Sequence, residues 1–173
     1  KFFANAAQKA TEIGTTMSNY ISSTADFARL GYSLSDAETL ANTASIYFNV
    51  ADGIETIDEA SQSVISTMKA FDVQVEDSMS IVDLFNETSN NFAISSGGIG
   101  EAMQRSASAL KAAGNTIEES VALITAANTV VQDPLKVVNG LKTLSLRIRG
   151  AKGELEEAGE STEGMANSVS ELR

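Results

Sequence analysis

The sequence predicts an all-α protein, a compact antiparallel bundle of six or seven short helices. Apolar residues recur at three- and four-residue steps along most of the chain, and capping or turn residues interrupt this pattern about every twenty residues. No segment shows the alternation of a strand, and proline occurs once. Because the intervening turns span only about two to five residues, consecutive helices should be antiparallel neighbours.

The first half of the chain contains two pairs of residues at capping-box spacing. Helical periodicity is found over residues 17–31, 34–50 and 56–71, and an Ala-rich stretch at 1–14 has the composition of a short additional helix. Ser35 and Glu38 have the capping-box spacing near the start of the second of these segments, and Thr56 and Glu59 have it in the third. In such a box the hydroxyl accepts an early amide and the carboxylate reaches back to the cap.

The second half of the chain adds further helices over residues 75–93, 99–114, 116–131 and from 133 onward. Thr116 and Glu119 form a third predicted capping box, and Asp133 before Pro134 is a strong helix start. Residues 121–127 are apolar on every side, which predicts a helix at the centre of the fold.

Glycine content divides the chain into two parts. Helical periodicity fades after Gly150, where four glycines stand among glutamates within fifteen residues. We therefore predict a helical core module over residues 1–150 and an acidic, Gly-rich tail over 151–173. The tail is expected to be flexible or ordered only by a partner, and its first proteolytic cut should come after Gly150.

Composition excludes several kinds of chemistry. The chain has no Cys and no His, which removes thiol nucleophiles, Cys–His zinc sites, imidazole bases and the Ser-His-Asp triad. Two carboxylates could in principle hydrolyse a glycosidic bond, but no pair is singled out and no Trp is present to line a sugar subsite. We therefore predict no enzyme, no catalytic, cofactor-binding or metal-binding residue, and no cofactor.

Two motifs resemble ligand sites only in part. The run Gly97-Gly98-Ile99-Gly100 opens a helix, as a phosphate cradle does, but no Lys-Ser/Thr pair follows it and no strand precedes it. Carboxylates near the turns at residues 52–59 and 72–77 lack the alternating ligand spacing of a calcium loop. Both motifs are therefore expected to be structural.

Charge is distributed unevenly along the chain, whose net charge is −11. This acidity makes direct nucleic-acid binding unlikely, because affinity for nucleic acid rests on neutralising phosphates. Four cations nevertheless fall within eleven residues without an acid among them, at Lys142, Arg147, Arg149 and Lys152. They either complement the dipole at a helix end and pair with the glutamates after residue 153, or contact a phosphate or a partner.

Membrane insertion is not expected from this sequence. It contains no apolar run of the roughly 18 residues that a spanning helix needs, and no leader of the secretory type. The first residue is Lys1 rather than Met, which suggests a piece of a longer chain.

Several segments together resemble the core region of phage tail tape measure proteins. These segments are LSDAE at 34–38 with its continuation to 54, STMKAF at 66–71, NNFAISSGGIGEA at 90–102, QRSA at 104–107, AGNTIEES at 113–120, TAAN at 125–128, VQDP at 131–134 and LRIRGAK at 146–152. The resemblance covers residues 15 to 160. It carries no catalytic residue with it.

The resemblance implies a structural role and a set of partners. Members of that family are long, mostly helical chains that lie inside the tail tube, set its length and organise its assembly. The implied partners are tail tube, tail tip and tail assembly chaperone proteins, with self-association as a further option. The implied location is the virion tail lumen, and the bacterial host cytoplasm during assembly, in a phage or prophage of a Gram-positive host. The alternative interpretation is a helical adaptor or assembly-chaperone domain from outside the virion.

Overall fold

The computed structural model describes residues 2–166 and residue 171, and within them the chain forms eight α-helices, one 3-10 turn and no strand. The helices are α1 (Phe2–Glu12), α2 (Met17–Arg29), α3 (Leu34–Val50), α4 (Ile57–Phe71), α5 (Ser78–Asn91), α6 (Ser96–Ala112), α7 (Ile117–Val131) and α8 (Pro134–Glu157). Each helix packs against the next one along the chain. The predicted all-α bundle is confirmed, with eight helices rather than six or seven. The additional helix is α1, which buries Ala6 and Ala10.

Hydroxyl side chains cap five of the described helices, and two of these caps, Thr56 and Thr116, were predicted from the sequence. Thr116 and Glu119 form a complete capping box at α7: Oγ1 accepts from the Glu119 amide at 3.2 Å, and the carboxylate accepts from the Thr116 amide at 2.9 Å. Thr56 caps α4 in the same way, but the carboxylate of Glu59 accepts from the amide of Glu55 instead. Only half of the second predicted box is therefore present.

Helix α3 has a different cap from the predicted one. Ser33 caps it, with Oγ accepting from the amide of Asp36 at 3.2 Å. Glu38 instead pairs with the Lys9 ammonium of α1, and this hydrogen bond is the main reason that the pKa of Lys9 is raised. The predicted box of Ser35 and Glu38 is wrong, because the helix already begins at Leu34 and Ser35 is its second residue.

Helix α6 occupies the centre of the bundle. It packs against α4, α5, α7 and α8. Much of its buried surface comes from small residues, at Ser96, Gly97, Gly100, Ala102, Ser106 and Ala107. Because the distance between packed helices depends on the side chains at the contact, these small residues allow several neighbours to approach α6 closely.

Helix α7 does not lie at the centre, so that prediction is wrong. Its buried side includes Val121 and Ile124, but Ala122 and Ala126 are exposed and Val130 keeps 86% of its accessible surface. Apolar character all round a helix shows what it could bury, whereas its actual burial depends on how many neighbours surround it. The small residues of α6 allow its neighbours to pack closely around it, and α7 lies at the surface.

Helix α8 continues beyond the predicted end of the helical module. It runs to Glu157, so the boundary predicted at Gly150 falls within a helix. The last buried residue of α8 is Ser145, and no residue from 146 to 157 is buried. The order of the segment 151–173 in the absence of a partner stays a prediction, and residues 167–170, 172 and 173 of that segment lie outside the described residues.

None of the helices in the described part of the chain combines the length and the apolar character that crossing a membrane requires.

Candidate functional site

Three of the sequence motifs that carry the resemblance meet at one end of α6. The loop between α3 and α4, at residues 51–56, packs against the start of α6 at residues 95–100. The turn between α7 and α8, at residues 132–133, lies beside them. We call this meeting point the α6 junction. It joins parts of the chain that are separated by about forty residues in each direction.

The first amides of α6 already have hydrogen-bond acceptors. The amide of Ser96 donates to Oδ1 of Asp52 at 2.8 Å, and the amide of Gly97 donates to the Asp52 carbonyl oxygen at 2.8 Å. The amide of Gly98 donates to Oγ of Ser95 at 2.9 Å. A phosphate cradle needs such amides for its ligand. Here two of them hold α6 against the α3–α4 loop and the third is taken by the N-cap of α6, so the glycine-rich run has a packing role.

Two glycines are required at the α6 junction because other groups fill the space of a side chain. A Cβ on Gly97 would lie 2.3 Å from the carbonyl oxygen of Gly53. A Cβ on Gly100 would lie 2.4 Å from Oη of Tyr47 and 3.0 Å from Oγ of Ser63. Glycine therefore permits a close contact of α6 with the α3–α4 loop at Gly97, and with side chains of α3 and α4 at Gly100.

Tyr47 is the largest buried residue with a polar group at the α6 junction. Its hydroxyl donates to the carbonyl oxygen of Ser96 at 2.8 Å, and the residue has no accessible surface. Burial raises the pKa of Tyr47 well above its usual value, because the charged phenolate would lose its hydration. The neutral hydroxyl thus joins α3 to the start of α6. The phenol ring packs beside Phe85, with ring centroids 5.9 Å apart.

The turn into α8 completes the α6 junction. Gln132 adopts the left-handed conformation with φ 52°, and Asp133 caps α8 by accepting from the amide of Lys136 at 3.1 Å. That amide and the Lys136 ammonium lower the pKa of the Asp133 carboxyl. Pro134 at the first position of α8 lies next to Gly98, so α6 and α8 begin side by side. The predicted start of α8 is confirmed.

A cleft of about 560 Å³ opens beside the α6 junction. Its charged lining is entirely acidic, with Glu55, Glu59, Glu101 and Asp133. Among the described residues, no three acidic side chains come close enough to hold a metal ion. The absence of catalytic, cofactor and metal residues was predicted from the sequence and stays a prediction.

An apolar groove runs between α5 and α7 on the surface of the bundle. It has a volume of about 600 Å³. Its apolar lining comes from both helices and includes Leu84, Phe92, Val121, Ala122, Ala126 and Val130. We call it the α5–α7 groove. Sequence reasoning missed this surface, because it assigned α7 to the interior.

Helix α8 carries three bases followed by three acids beyond its last buried residue. We call residues 146–157 the α8 extension. Leu146 is 55% exposed, and Arg147 and Arg149 are exposed beside it. The prediction that the cations lie in the last turn of α8 is wrong, because that turn contains no base. Arg147 and Arg149 form no ion pair with any described residue, so the predicted pairing with the glutamates is not found for these two cations.

The fold defines a class of protein, an all-α bundle of short helices. The family model for phage-related minor tail proteins matches residues 5–172. The chain therefore belongs to the phage-related minor tail protein family, and its role is structural, in the phage tail. This membership implies that its partners are other tail proteins and that it resides in the tail of the virion. No solved structure matches the chain.

Proposed function

We propose that this chain is a folded, non-enzymatic module of a tail tape measure protein, the component that sets tail length and organises tube assembly. The observation that supports this most strongly is the α6 junction. Two motifs that resemble the tape measure core, at residues 34–54 and 90–102, are joined there by hydrogen bonds, and a third at 131–134 packs beside them. Sequence motifs that are far apart in the chain are expected to lie close together when they build one local structure.

Helix length argues that this module does not itself measure the tail. A continuous helix advances about 1.5 Å per residue, so 173 residues in a single helix would extend about 260 Å. The longest described helix has 24 residues, which is about 36 Å. We propose that other, extended parts of a longer chain act as the ruler, while this module makes contacts at assembly.

In-frame deletions test whether the ruler and the assembly module are different parts of the parent chain. Removing short stretches from an extended region of the parent chain should shorten tails in proportion to the residues removed. Removing stretches of equal size within residues 35–150 should block tail assembly, because it breaks a packed bundle. Tail lengths would be measured by electron microscopy of particles. Proportionate shortening from cuts within 35–150 would contradict the proposal.

Peptide mapping with intact-mass measurement on purified tailed particles tests the location. Peptides of this sequence in virions, on a chain of several hundred residues or more, would support a tape measure in the tail lumen. Peptides found only in the host lysate, on a chain of about this size, would favour the non-virion adaptor or assembly-chaperone function. The Gram-positive host is part of the same proposal and is read from the source of the particles.

The proposal that the module is not an enzyme has its own test. Purified protein should release no soluble fragments from peptidoglycan, whereas a tail-associated cell-wall hydrolase assayed beside it should. Turnover that disappears when individual glutamates are replaced by Gln would overturn this part of the proposal.

A further inference from the structure

The α5–α7 groove combines an apolar lining with an acidic border. It lies between two helices of the bundle and has a volume of about 600 Å³. We propose that it binds an amphipathic helix of another protein, whose apolar stripe enters the groove and whose lysines or arginines lie beside that stripe. Docking of a helix in a groove is a common way in which helical proteins recognise their partners.

The walls of the groove present residues at helical spacing. On α5 the wall is formed by Leu84 and Thr88, which are one turn apart. On α7 it runs along one side of the helix and includes Glu118, Val121, Ala122, Thr125, Ala126 and Val130. Steps of three and four residues place side chains on the face that a helix presents to a neighbouring helix. The wall of α7 covers about 18 Å, which is enough for an occupant of three helical turns.

The apolar surface of the groove is accessible to such a helix. Ala122 and Ala126 are exposed and one turn apart, and their small side chains allow an occupant to approach α7 closely. Phe92 and Val130 keep 59% and 86% of their accessible surface. Burying large apolar side chains of this kind is the main source of free energy for the proposed contact.

A buried hydroxyl in the wall of the groove lacks a hydrogen bond. Thr125 is only 6% exposed, and its Oγ1 forms no hydrogen bond with any described residue. Its neighbour on the same wall, Thr129, donates to the carbonyl oxygen of Thr125 at 3.1 Å and so leaves that hydroxyl unpaired. Buried polar groups in folded proteins are almost always hydrogen-bonded. A polar side chain within the apolar stripe of the occupant would supply the missing bond.

Charge around the groove favours a basic occupant. Neither α5 nor α7 contains a Lys or an Arg. Asp83 and Glu87 are exposed on α5, and Glu118 is exposed in the wall formed by α7. Lysines or arginines beside the apolar stripe of the occupant would complement these carboxylates and speed its association.

The same charges argue against a second copy of this chain as the occupant. Pairing of two grooves would bring acidic helices together, which is unfavourable. The α8 extension carries three bases and three acids, so it does not provide a basic helix. The proposed occupant is therefore a helix of a different protein.

Synthetic peptides of about 18 residues test the proposal, because this length spans the groove as a helix. The first peptide has Leu and Ala in its stripe, one Asn at the centre of the stripe, and Lys on both flanks. The second has Glu in place of Lys, and the third has the residues of the first in an order that removes the stripe. Fluorescence anisotropy with the whole chain should show that the first peptide binds about tenfold tighter than either of the others. Equal binding of the first peptide and either of the others would overturn the proposal.

A valine pair tests whether the first peptide occupies the groove. Val130→Lys places a cation in the groove, whereas Val50→Lys makes the same change at another exposed valine near a helix end. Val130→Lys should weaken binding about tenfold, and Val50→Lys should leave it unchanged. Circular dichroism establishes that both variants are folded. Binding that is equal in the two variants would overturn the proposal.

A charge pair distinguishes the groove from the acidic cleft beside the α6 junction. D83K/E87K reverses the acids on α5, and E55K/E101K changes the net charge by the same amount at the cleft. Only D83K/E87K should weaken binding of the first peptide, and the difference should shrink at high salt. Loss of binding in E55K/E101K alone would place the peptide in the cleft and overturn the proposal.

Sedimentation velocity without peptide tests a second copy as the occupant. The unmodified chain and Val130→Lys should have the same weight-average mass at every protein concentration. A mass that rises above 18.2 kDa in the unmodified chain but not in Val130→Lys would assign the groove to a second copy and overturn the proposal.

Discussion

At the scale of single residues, the hydroxyl of Tyr47 joins α3 to the start of α6. Replacing Tyr47 by Phe removes its hydrogen bond to the Ser96 carbonyl oxygen and keeps the ring. We expect the free energy of unfolding at pH 7 to fall by about 1 kcal/mol. Urea unfolding followed by circular dichroism measures this change. An unchanged midpoint would show that the hydrogen bond does not contribute to stability.

The same residue predicts a dependence on alkaline pH. Burial raises the pKa of Tyr47 in the folded state, so its contribution is fully present below the unfolded pKa of about 10. It is lost as the pH rises from there toward the higher folded pKa. Stability should therefore fall less steeply above pH 10 in Tyr47→Phe than in the unmodified chain. Tyr32→Phe is the control, because Tyr32 is only half-buried.

At the scale of elements, the close approach of α6 to the α3–α4 loop depends on Gly97. In Gly97→Ala the added Cβ would lie 2.3 Å from a backbone oxygen, which cannot move as a flexible side chain would. We expect a loss of about 3 kcal/mol, and a melting temperature lower by about 6 to 12 °C. Scanning calorimetry measures both. A Gly97→Ala protein as stable as the unmodified chain would contradict this account of the α6 junction.

Gly140 provides the matched control for that substitution. It also lies within a helix, but a Cβ there would meet no atom within 4 Å. Gly140→Ala should raise stability by up to about 1 kcal/mol, because alanine restricts the unfolded chain and favours the helix. If Gly97→Ala lowers the free energy of unfolding and Gly140→Ala raises it, the effect of the close contact is distinguished from that of helix propensity.

Where each helix lies within the bundle was harder to predict than where it begins in the sequence. The caps at Thr116 and Asp133 act within three or four residues, so the sequence alone located the starts of α7 and α8. The packing of α7 could not be predicted in the same way. Its apolar residues satisfy either a central or a peripheral position, and the choice depends on the small residues of α6, which are distant in sequence.

At the scale of the whole molecule, the candidate site depends on tertiary contacts that local patterns do not show. The sequence identified the glycine-rich run at 97–100 and the cationic stretch at 142–152 as unusual. It could not show that Asp52 would occupy the α6 amides, since that contact joins residues 44 positions apart. Nor could it show that the arginines lie beyond the packed part of α8, because this depends on where α6 ends.

The final prediction concerns how much of the chain the folded bundle requires. Residues after Ser145 contribute no buried side chain to α8. Truncation after Arg149 should therefore change the free energy of unfolding by less than about 0.5 kcal/mol. Truncation after Gly140 removes Leu141, which packs on the core, together with the buried Ser145, and should cost about 3 kcal/mol. Urea unfolding of the two truncated proteins measures the difference.

Limited trypsin digestion gives an independent measurement on the intact chain. Cleavage after Arg147, Arg149 or Lys152 should come first and should not depend on low concentrations of urea, because local opening of the α8 extension is sufficient. Cleavage after Lys69 or Lys111 should accelerate with urea, because these sites lie within helices of the packed bundle. Initial cleavage at Lys69 or Lys111 would show that the α8 extension is held by the bundle, and equal losses from both truncations would agree with that result.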